Sequence, residues 1–168
     1  DVDLIMGTFS KSMASVGGFI AGDAVVIDYI KHRARSMMFS AAPPPASVGA
    51  ALATVEIMES EPERRQRLWE NTRFFAEGLR SLGFDTGQSQ TPVVPVVVGE
   101  DLVALRMVHR LHEEGVFVNC VISPATPPGR ALIRTSLMAT HTREQLSRAL
   151  EAIEKVGREV GVLRTVPV

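Results

Sequence analysis

Cysteine, tryptophan, tyrosine and lysine are scarce in this sequence: one residue of each of the first three, and three lysines against fifteen arginines. Cys120 alone cannot close an internal disulfide, and no basic, apolar, small-residue leader opens the chain, so a reducing compartment, the cytoplasm, is expected. Long apolar runs are missing too. The longest spans about six residues, as in Val93 to Val98 around Pro95, where a bilayer crossing needs roughly 20. Neither sign of charge dominates: 18 basic against 19 acidic side chains leave a formal charge of −1. Such a chain has no field to hold a nucleic-acid backbone or an anionic lipid surface, and neither is an expected partner. A Gly-x-Ser-x-Gly elbow and a Gly-x-Gly-x-x-Gly fingerprint are absent.

What is present is an ordinary globular composition, 45% hydrophobic and 22% charged over 168 residues. The chain opens on Asp1-Val2-Asp3-Leu4-Ile5-Met6 without an initiator methionine, which reads as a piece of something longer. Leu4 to Met6 predicts a short buried strand ending at Gly7, and Gly17-Gly18 a turn into a second strand over Phe19-Ile20-Ala21-Gly22. Val25 to Arg35 predicts a helix with Val26, Ile27 and Ile30 inward, stopped before Pro43 to Pro45. Two long helices follow, one carrying Val48, Ala51, Leu52, Val55 and Met58, the other Leu68, Phe75, Leu79 and Leu82, with a break near Ser60 to Pro62. Gly83 to Thr91 turns polar, and a domain boundary is expected there, giving residues 1–83 and 84–168. The second half predicts a strand over Pro92 to Val98, a helix over Asp101 to Glu114 stopped by Gly115, and strands over Val116 to Val121 and Ala131 to Met138. Thr142-Arg143-Glu144-Gln145 has the form of a capping box opening a last helix with Leu146, Leu150, Ile153 and Val156 inward.

One lysine stands out by its setting. Lys11 lies in Gly7-Thr8-Phe9-Ser10-Lys11-Ser12, an otherwise uncharged, hydroxyl-rich loop between two strands, where a held amine suits a phosphate or a carbonyl. A P-loop needs glycines where this chain has Ser10 and Ile5, so that motif is rejected. Spacing alone leaves both a surface lysine and a functional one open. Arg134, inside the apolar stretch Ala131 to Leu137, needs an ion-pair partner or an exit to water. His109 and His112 lie three residues apart on a helix without a further ligand, and no metal site is assigned. Cys120 reads as a core thiol.

Gly7-Thr8-Phe9-Ser10-Lys11-Ser12 with Gly17-Gly18-Phe19 resembles the cofactor-lysine segment of the α-oxoamine synthases, pyridoxal-phosphate enzymes that join an amino acid to an acyl thioester with loss of CO2. Phe39-Ser40-Ala41, Pro124-Ala125-Thr126-Pro127-Pro128-Gly129, Ile133-Arg134-Thr135-Ser136, Ala139-Thr140-His141-Thr142 and Gly157 to Val162 follow in the family's order, so the resemblance covers essentially the whole chain. Ser10 before the lysine, the Pro-Ala-Thr-Pro segment and the Gly-Arg-x-Val-Gly-Val ending resemble the bacterial serine palmitoyltransferase branch.

The resemblance implies an α/β, fold-type I pyridoxal-phosphate transferase fold: the end of the large domain and the C-terminal small α+β domain. It implies pyridoxal 5'-phosphate as cofactor, with Lys11 as the catalytic Schiff-base lysine and Thr8 and Ser10 as phosphate hydroxyls. Ser40 would reach the phosphate of a neighbouring subunit, which implies a homodimer with shared sites. Partial burial beside the cofactor would lower the Lys11 pKa. Arg134 would hold the substrate carboxylate, and Pro124 to Gly129 would form a loop over the site that swings at Gly129. The implied substrates are an amino acid, serine favoured, and an acyl-CoA. Other α-oxoamine synthases and a non-catalytic interaction fragment are the alternatives. The aspartate that pairs with the cofactor's pyridine nitrogen and the histidine that stacks on its ring are expected upstream of Asp1, so the chain by itself is expected to be inactive.

Overall fold

A computed structural model of the chain describes residues 2–163. Two compact units share the chain, residues 1–62 and residues 63–168. The expected boundary at residue 83 marked a change in composition. The compact units divide earlier because the helix that precedes the polar stretch packs its Phe75 and Leu79 into the second core.

In the first unit, β1 (Leu4–Thr8) pairs antiparallel with β2 (Gly18–Gly22), in a register running from Leu4↔Gly22 to Thr8↔Gly18. Helix α1 (Ala24–Arg33), a single turn α2 (Arg35–Met38) and α3 (Pro45–Ser60) follow. Pro45 sits at the start of α3, where its missing N–H costs nothing and its fixed φ suits the first turn. The expected strand forms, but it is not buried: Leu4, Ile5 and Met6 are 41%, 57% and 69% exposed. A two-stranded sheet cannot cover both of its faces, and α1, whose Val26 was expected to point inward, has no buried residue. Ala51 is the one buried side chain of this unit among the described residues.

The second unit has a core of its own. α4 (Pro62–Ser81), α5 (Asp101–Glu113) and α6 (Arg143–Glu159) pack with a three-stranded antiparallel sheet of order β3-β5-β4, formed by β3 (Val93–Gly99), β4 (Asn119–Val121) and β5 (Ala131–Ser136). Side chains alternate as a half-covered sheet requires. Val94, Val96, Ile133 and Thr135 point into the core with Leu79, Met107, Leu111, Ile153 and Val156, whereas Arg134 is exposed. The Thr135 hydroxyl donates to the Val94 carbonyl at 2.6 Å, so its burial leaves no polar atom unpaired. Buried Asn71 on α4 donates to the carbonyls of Met138 (3.0 Å) and His141 (2.9 Å) and fixes the approach to α6.

Strand β4 is shorter than its sequence suggests. The Val116 N–H bonds the Leu111 carbonyl at 2.8 Å and the Gly115 N–H bonds the His112 carbonyl at 3.0 Å, the pair of bonds that closes a helix through a left-handed glycine, here at φ +79°. Val116 therefore terminates α5 rather than starting the strand. Across the outer face, Arg110 of α5 pairs with Glu113, with Glu114 at 3.2 Å and with Glu159 of α6 at 3.1 Å, while Lys155 meets Glu114 at 2.8 Å. The Lys155 ammonium holds the Glu114 carboxyl below the usual carboxylate range. That contribution is complete above the ordinary carboxylate pKa and is lost as pH falls through the lowered one, and water screens it at this exposed site. Among the described residues no helix is long and apolar enough to cross a membrane.

The capping box at the start of α6 is complete: the Gln145 N–H donates to the Thr142 hydroxyl oxygen at 3.2 Å and the Thr142 N–H to the Gln145 side-chain oxygen at 2.9 Å. Replacing Thr142 by Ala removes one of the two bonds, and unfolding of the second unit in urea is expected to lose about 1 kcal/mol. An unchanged midpoint would show that core packing alone sets the start of α6.

Candidate functional site

The lysine loop is shaped by its hairpin. β1 delivers Thr8 and β2 begins at Gly18, and between them the Phe9 N–H donates to the Gly17 carbonyl (2.9 Å), Ser15 N–H to Phe9 (3.0 Å) and Ala14 N–H to Lys11 (3.1 Å). These bonds fold residues 9–17 into a closed loop. The Lys11 side chain is exposed, and its amine has no hydrogen-bond or ion-pair partner among the described residues. The partial burial expected of Lys11 is therefore not supplied by the residues described. Gly17 takes φ +113°, a region closed to most side chains, and lets the loop re-enter β2.

The same hairpin floors a cavity of about 680 Å³ lined by Thr8, Gly18, Phe19, Ile27, Lys31 and Ser40, among others. Two of the expected phosphate hydroxyls, Thr8 and Ser40, thus face one space. Ser40 donates its hydroxyl hydrogen to the Ser36 carbonyl one turn back, so it must release that bond before it can donate elsewhere. Ser10 does not share this space and instead lines a shallow one with Ser15 and Ser47, where the Ser15 hydroxyl donates to the Ser47 carbonyl at 2.8 Å. The cavity wall also holds Lys31, which the sequence reading did not single out. Its signal was present in the helical spacing that puts residue 31 beside Ile27 and next to Ile30 on α1.

Glycine is needed at two points of the floor. A Cβ on Gly18 would lie 2.5 Å from the Gly7 carbonyl oxygen, and one on Gly7 would lie 2.3 Å from the Phe19 ring. Phe19 lies against β1 with its ring 6.1 Å from that of Phe9, so the hairpin can close only with bare backbone there.

In the second unit Arg134 takes the exit to water. It lies on the face of β5 opposite the core, exposed, and no described residue pairs with its guanidinium. The Pro124 to Gly129 segment starts where Asp101 Oδ1 accepts the Ser123 N–H at 3.4 Å and ends at Gly129, with φ +73°. Inside it the Thr126 hydroxyl is buried without a hydrogen-bond partner among the described residues. His141 is structural: its Nδ1 accepts the Met138 N–H at 3.2 Å. His112 stacks on Phe117 and contacts the Val118 backbone, and Cys120 is half-buried. No cluster able to hold a metal ion occurs among the described residues.

The residues present suit a phosphorylated aldehyde. Lys11 supplies a primary amine without a side-chain partner among the described residues, on the loop beside this cavity rather than in its lining, and Thr8 and Ser40 line the cavity. No carboxylate lines this cavity.

The family described as aminotransferase class I and II matches residues 1–153. A serine palmitoyltransferase of Sphingobacterium spiritivorum is 50% identical over 161 residues, covering 96% of this chain and 40% of that protein. An 8-amino-7-oxononanoate synthase of Symbiobacterium thermophilum is 48% identical over 162 residues, with 96% and 41% covered. The chain thus spans about two fifths of the length of these relatives, which cover 40% and 41% of themselves in the match. Among solved structures, the serine palmitoyltransferase of Sphingomonas wittichii is similar at a TM-score of 0.88 and 34% identity, covering 97% of this chain and 41% of that one. A serine palmitoyltransferase structure with its pyridoxal phosphate as the internal aldimine is equally similar, at a TM-score of 0.88 and 34% identity over 96% of this chain and 41% of that one.

Gly18→Ala tests the floor of the cavity. The methyl would press on backbone rather than on a movable side chain, and overpacking of this kind costs about 1–3 kcal/mol. Limited proteolysis is expected to cut residues 9–17 faster in the variant; an unchanged cleavage rate would show that the hairpin can spread to admit a side chain.

Proposed function

The chain belongs to the aminotransferase class I and II family, within its α-oxoamine synthase group, and on that premise we propose that it is the C-terminal part of a pyridoxal-phosphate acyltransferase of the serine palmitoyltransferase kind. The assembled enzyme, a cytoplasmic homodimer in this reading, condenses L-serine with a long-chain acyl-CoA and releases CO2, leaving a 3-ketosphingoid base. The observation that supports it is the closed hairpin loop that presents Lys11 three residues beyond Thr8, its amine without a partner among the described residues; Thr8 lines the cavity beside the loop, and Lys11 does not.

Each residue has a part that its chemistry fits. Lys11 would hold the cofactor aldehyde, and its amine, when free, would take and return a proton at the substrate α-carbon. When bound, pyridoxal phosphate supplies the electron sink for the pair released at that carbon. By the resemblance, Thr8 would donate to the phosphate, as would Ser10 although it lines a separate space in this chain, and Ser40, after releasing Ser36, would donate to the phosphate held by the neighbouring subunit although it lines Thr8's cavity here. Arg134 binds the substrate carboxylate through its planar fork of donors and so orients the bond that breaks on decarboxylation. The chain alone does not turn over in this reading, because the carboxylate that pairs with the pyridine nitrogen belongs to the upstream part.

A second reading, an 8-amino-7-oxononanoate synthase type with another amino acid and acyl thioester, is favoured by the 48% identity to such an enzyme beside 50% to a serine palmitoyltransferase. The roles of Lys11 and Arg134 are the same in both.

The test uses a full-length protein in which this chain replaces the matching region of the Sphingobacterium enzyme. After incubation with pyridoxal phosphate and borohydride reduction, mass spectrometry is expected to find the adduct on Lys11, with Lys31 and Lys155 unmodified. Lys11→Ala is expected to abolish the adduct and to lower turnover by about 10³-fold or more. An adduct spread over all three lysines, or none at Lys11, overturns the enzyme reading. Assays with L-serine and with other small amino acids then separate the two substrate readings.

A further inference from the structure

Arg134 occupies an unusual electrostatic setting for an arginine on a sheet. β5 is the central strand, so Arg134 has a directly opposed neighbour on each side: Pro95 on β3 and Asn119 on β4. Opposed residues of an antiparallel pair project from the same face with Cβ atoms about 4.5–5.5 Å apart. Both neighbours therefore flank Arg134 on the face away from the core, while the next pair, Cys120 and Ile133, turns inward, with Ile133 1% exposed.

The two flanks differ in kind. Pro95 has an apolar ring and no N–H, and offers the guanidinium nothing but contact. Asn119 carries an amide, exposed like Arg134 itself. Further along the same face stand Leu132 and Ser136 on β5, Val93 and Val97 on β3, and Val121 on β4. None of these is acidic. The guanidinium thus has one polar cross-strand neighbour, and that neighbour is neutral.

From this juxtaposition we infer that Asn119 is a positioning residue for Arg134 and, through it, for the carboxylate of the amino-acid substrate; the inference rests on the carboxylate role given to Arg134 above. The two side chains are not bonded in this structure; when substrate binds, the Asn119 side-chain oxygen would accept one guanidinium N–H and so restrain a long side chain that otherwise gives up much rotamer freedom. Its NH2 group remains free to donate to the same substrate carboxylate. An amide does this without cancelling charge. An aspartate at 119 would orient the arginine equally well but would neutralise it and repel the incoming carboxylate. The choice of Asn over Asp is thus a requirement of anion binding, one that a purely structural cross-strand pair would not impose.

The full-length protein described above, loaded with pyridoxal phosphate, gives the test. L-serine is titrated without acyl-CoA and followed by cofactor absorbance, which reads amino-acid affinity separately from turnover. Asn119→Ala is expected to weaken L-serine by about tenfold, the size of one hydrogen bond lost at a charged group. Asn119→Asp is expected to weaken it further than Ala does, and Asn119→Gln to recover part of the loss. KM for the acyl-CoA and the melting temperature are expected to hold, since the side chain is exposed on a short edge strand. If Arg134→Ala weakens L-serine while Asn119→Ala and Asn119→Asp leave it unchanged, the inference falls and the reading of Arg134 stands. An Asp variant that binds as well as the wild type also overturns it, as does a loss that tracks melting temperature. If Arg134→Ala itself leaves L-serine affinity unchanged, the carboxylate role of Arg134 is what fails.

Discussion

The central position of β5 is the constraint from which the second unit follows. A strand paired on both edges has no freedom of register, and a shift by one residue would put Ile133 in water and Arg134 in the core. The exposed arginine is in that sense a product of the buried residues on either side of it: Ile133 and Thr135 settle against α5 and α6, and the pleat turns Arg134 outward. The contacts that hold the fold and the placement of a charged group on its open face are one event. Burying an unpaired guanidinium would be costly, so the same alternation that stabilises the core also selects against the slipped register.

The first unit is organised on a different principle. Among its described residues only Ala51 is buried, while Leu4, Ile5, Met6, Phe19 and Ile20 are all exposed beyond 40%. Backbone pairing between β1 and β2, helped by the bare Gly7 and Gly18 and by the bonds across residues 9–17, shapes the lysine loop. Precision at Lys11 comes from hydrogen bonds that close a hairpin, which needs no core beneath it. The apolar surface that remains is far more than scattered surface leucines would give, in a chain that spans about two fifths of its relatives' length.

How much of this was legible in the sequence depended on the range of the interaction. Local rules carried well: Pro45 at the start of α3, the break at Pro62, the reciprocal bonds of Thr142 and Gln145, and Gly115 at the end of α5 are each written within a few residues. Val116 was read as strand because its β-branched side chain fits one, yet the helix-closing bond to Leu111 took its N–H first. Burial was misjudged in β1 and α1, since hydrophobicity reports what a segment would cover, and only tertiary packing decides whether a cover is present. Thr8 and Ser40 were chosen by resemblance, and their shared cavity came from the fold. Asn119 was invisible, because being opposite Arg134 is a matter of register between strands separated by a loop.

In the proposed reading the residues placed at the candidate site all serve the amino-acid half of the reaction. A lysine that moves a proton, hydroxyls for a phosphate and an arginine for a carboxylate are needed whichever small amino acid is bound and whichever thioester follows. Such roles fit both kinds of relative, to which identity is 50% and 48%. A binding pocket discriminates an added hydroxyl from its absence only through a polar group placed to meet it. The proposed arginine fork and its neutral amide neighbour would meet only the carboxylate, which every candidate amino acid shares. In that reading the choice between serine and another amino acid falls to a group that meets the substrate side chain rather than to the one that holds its carboxylate.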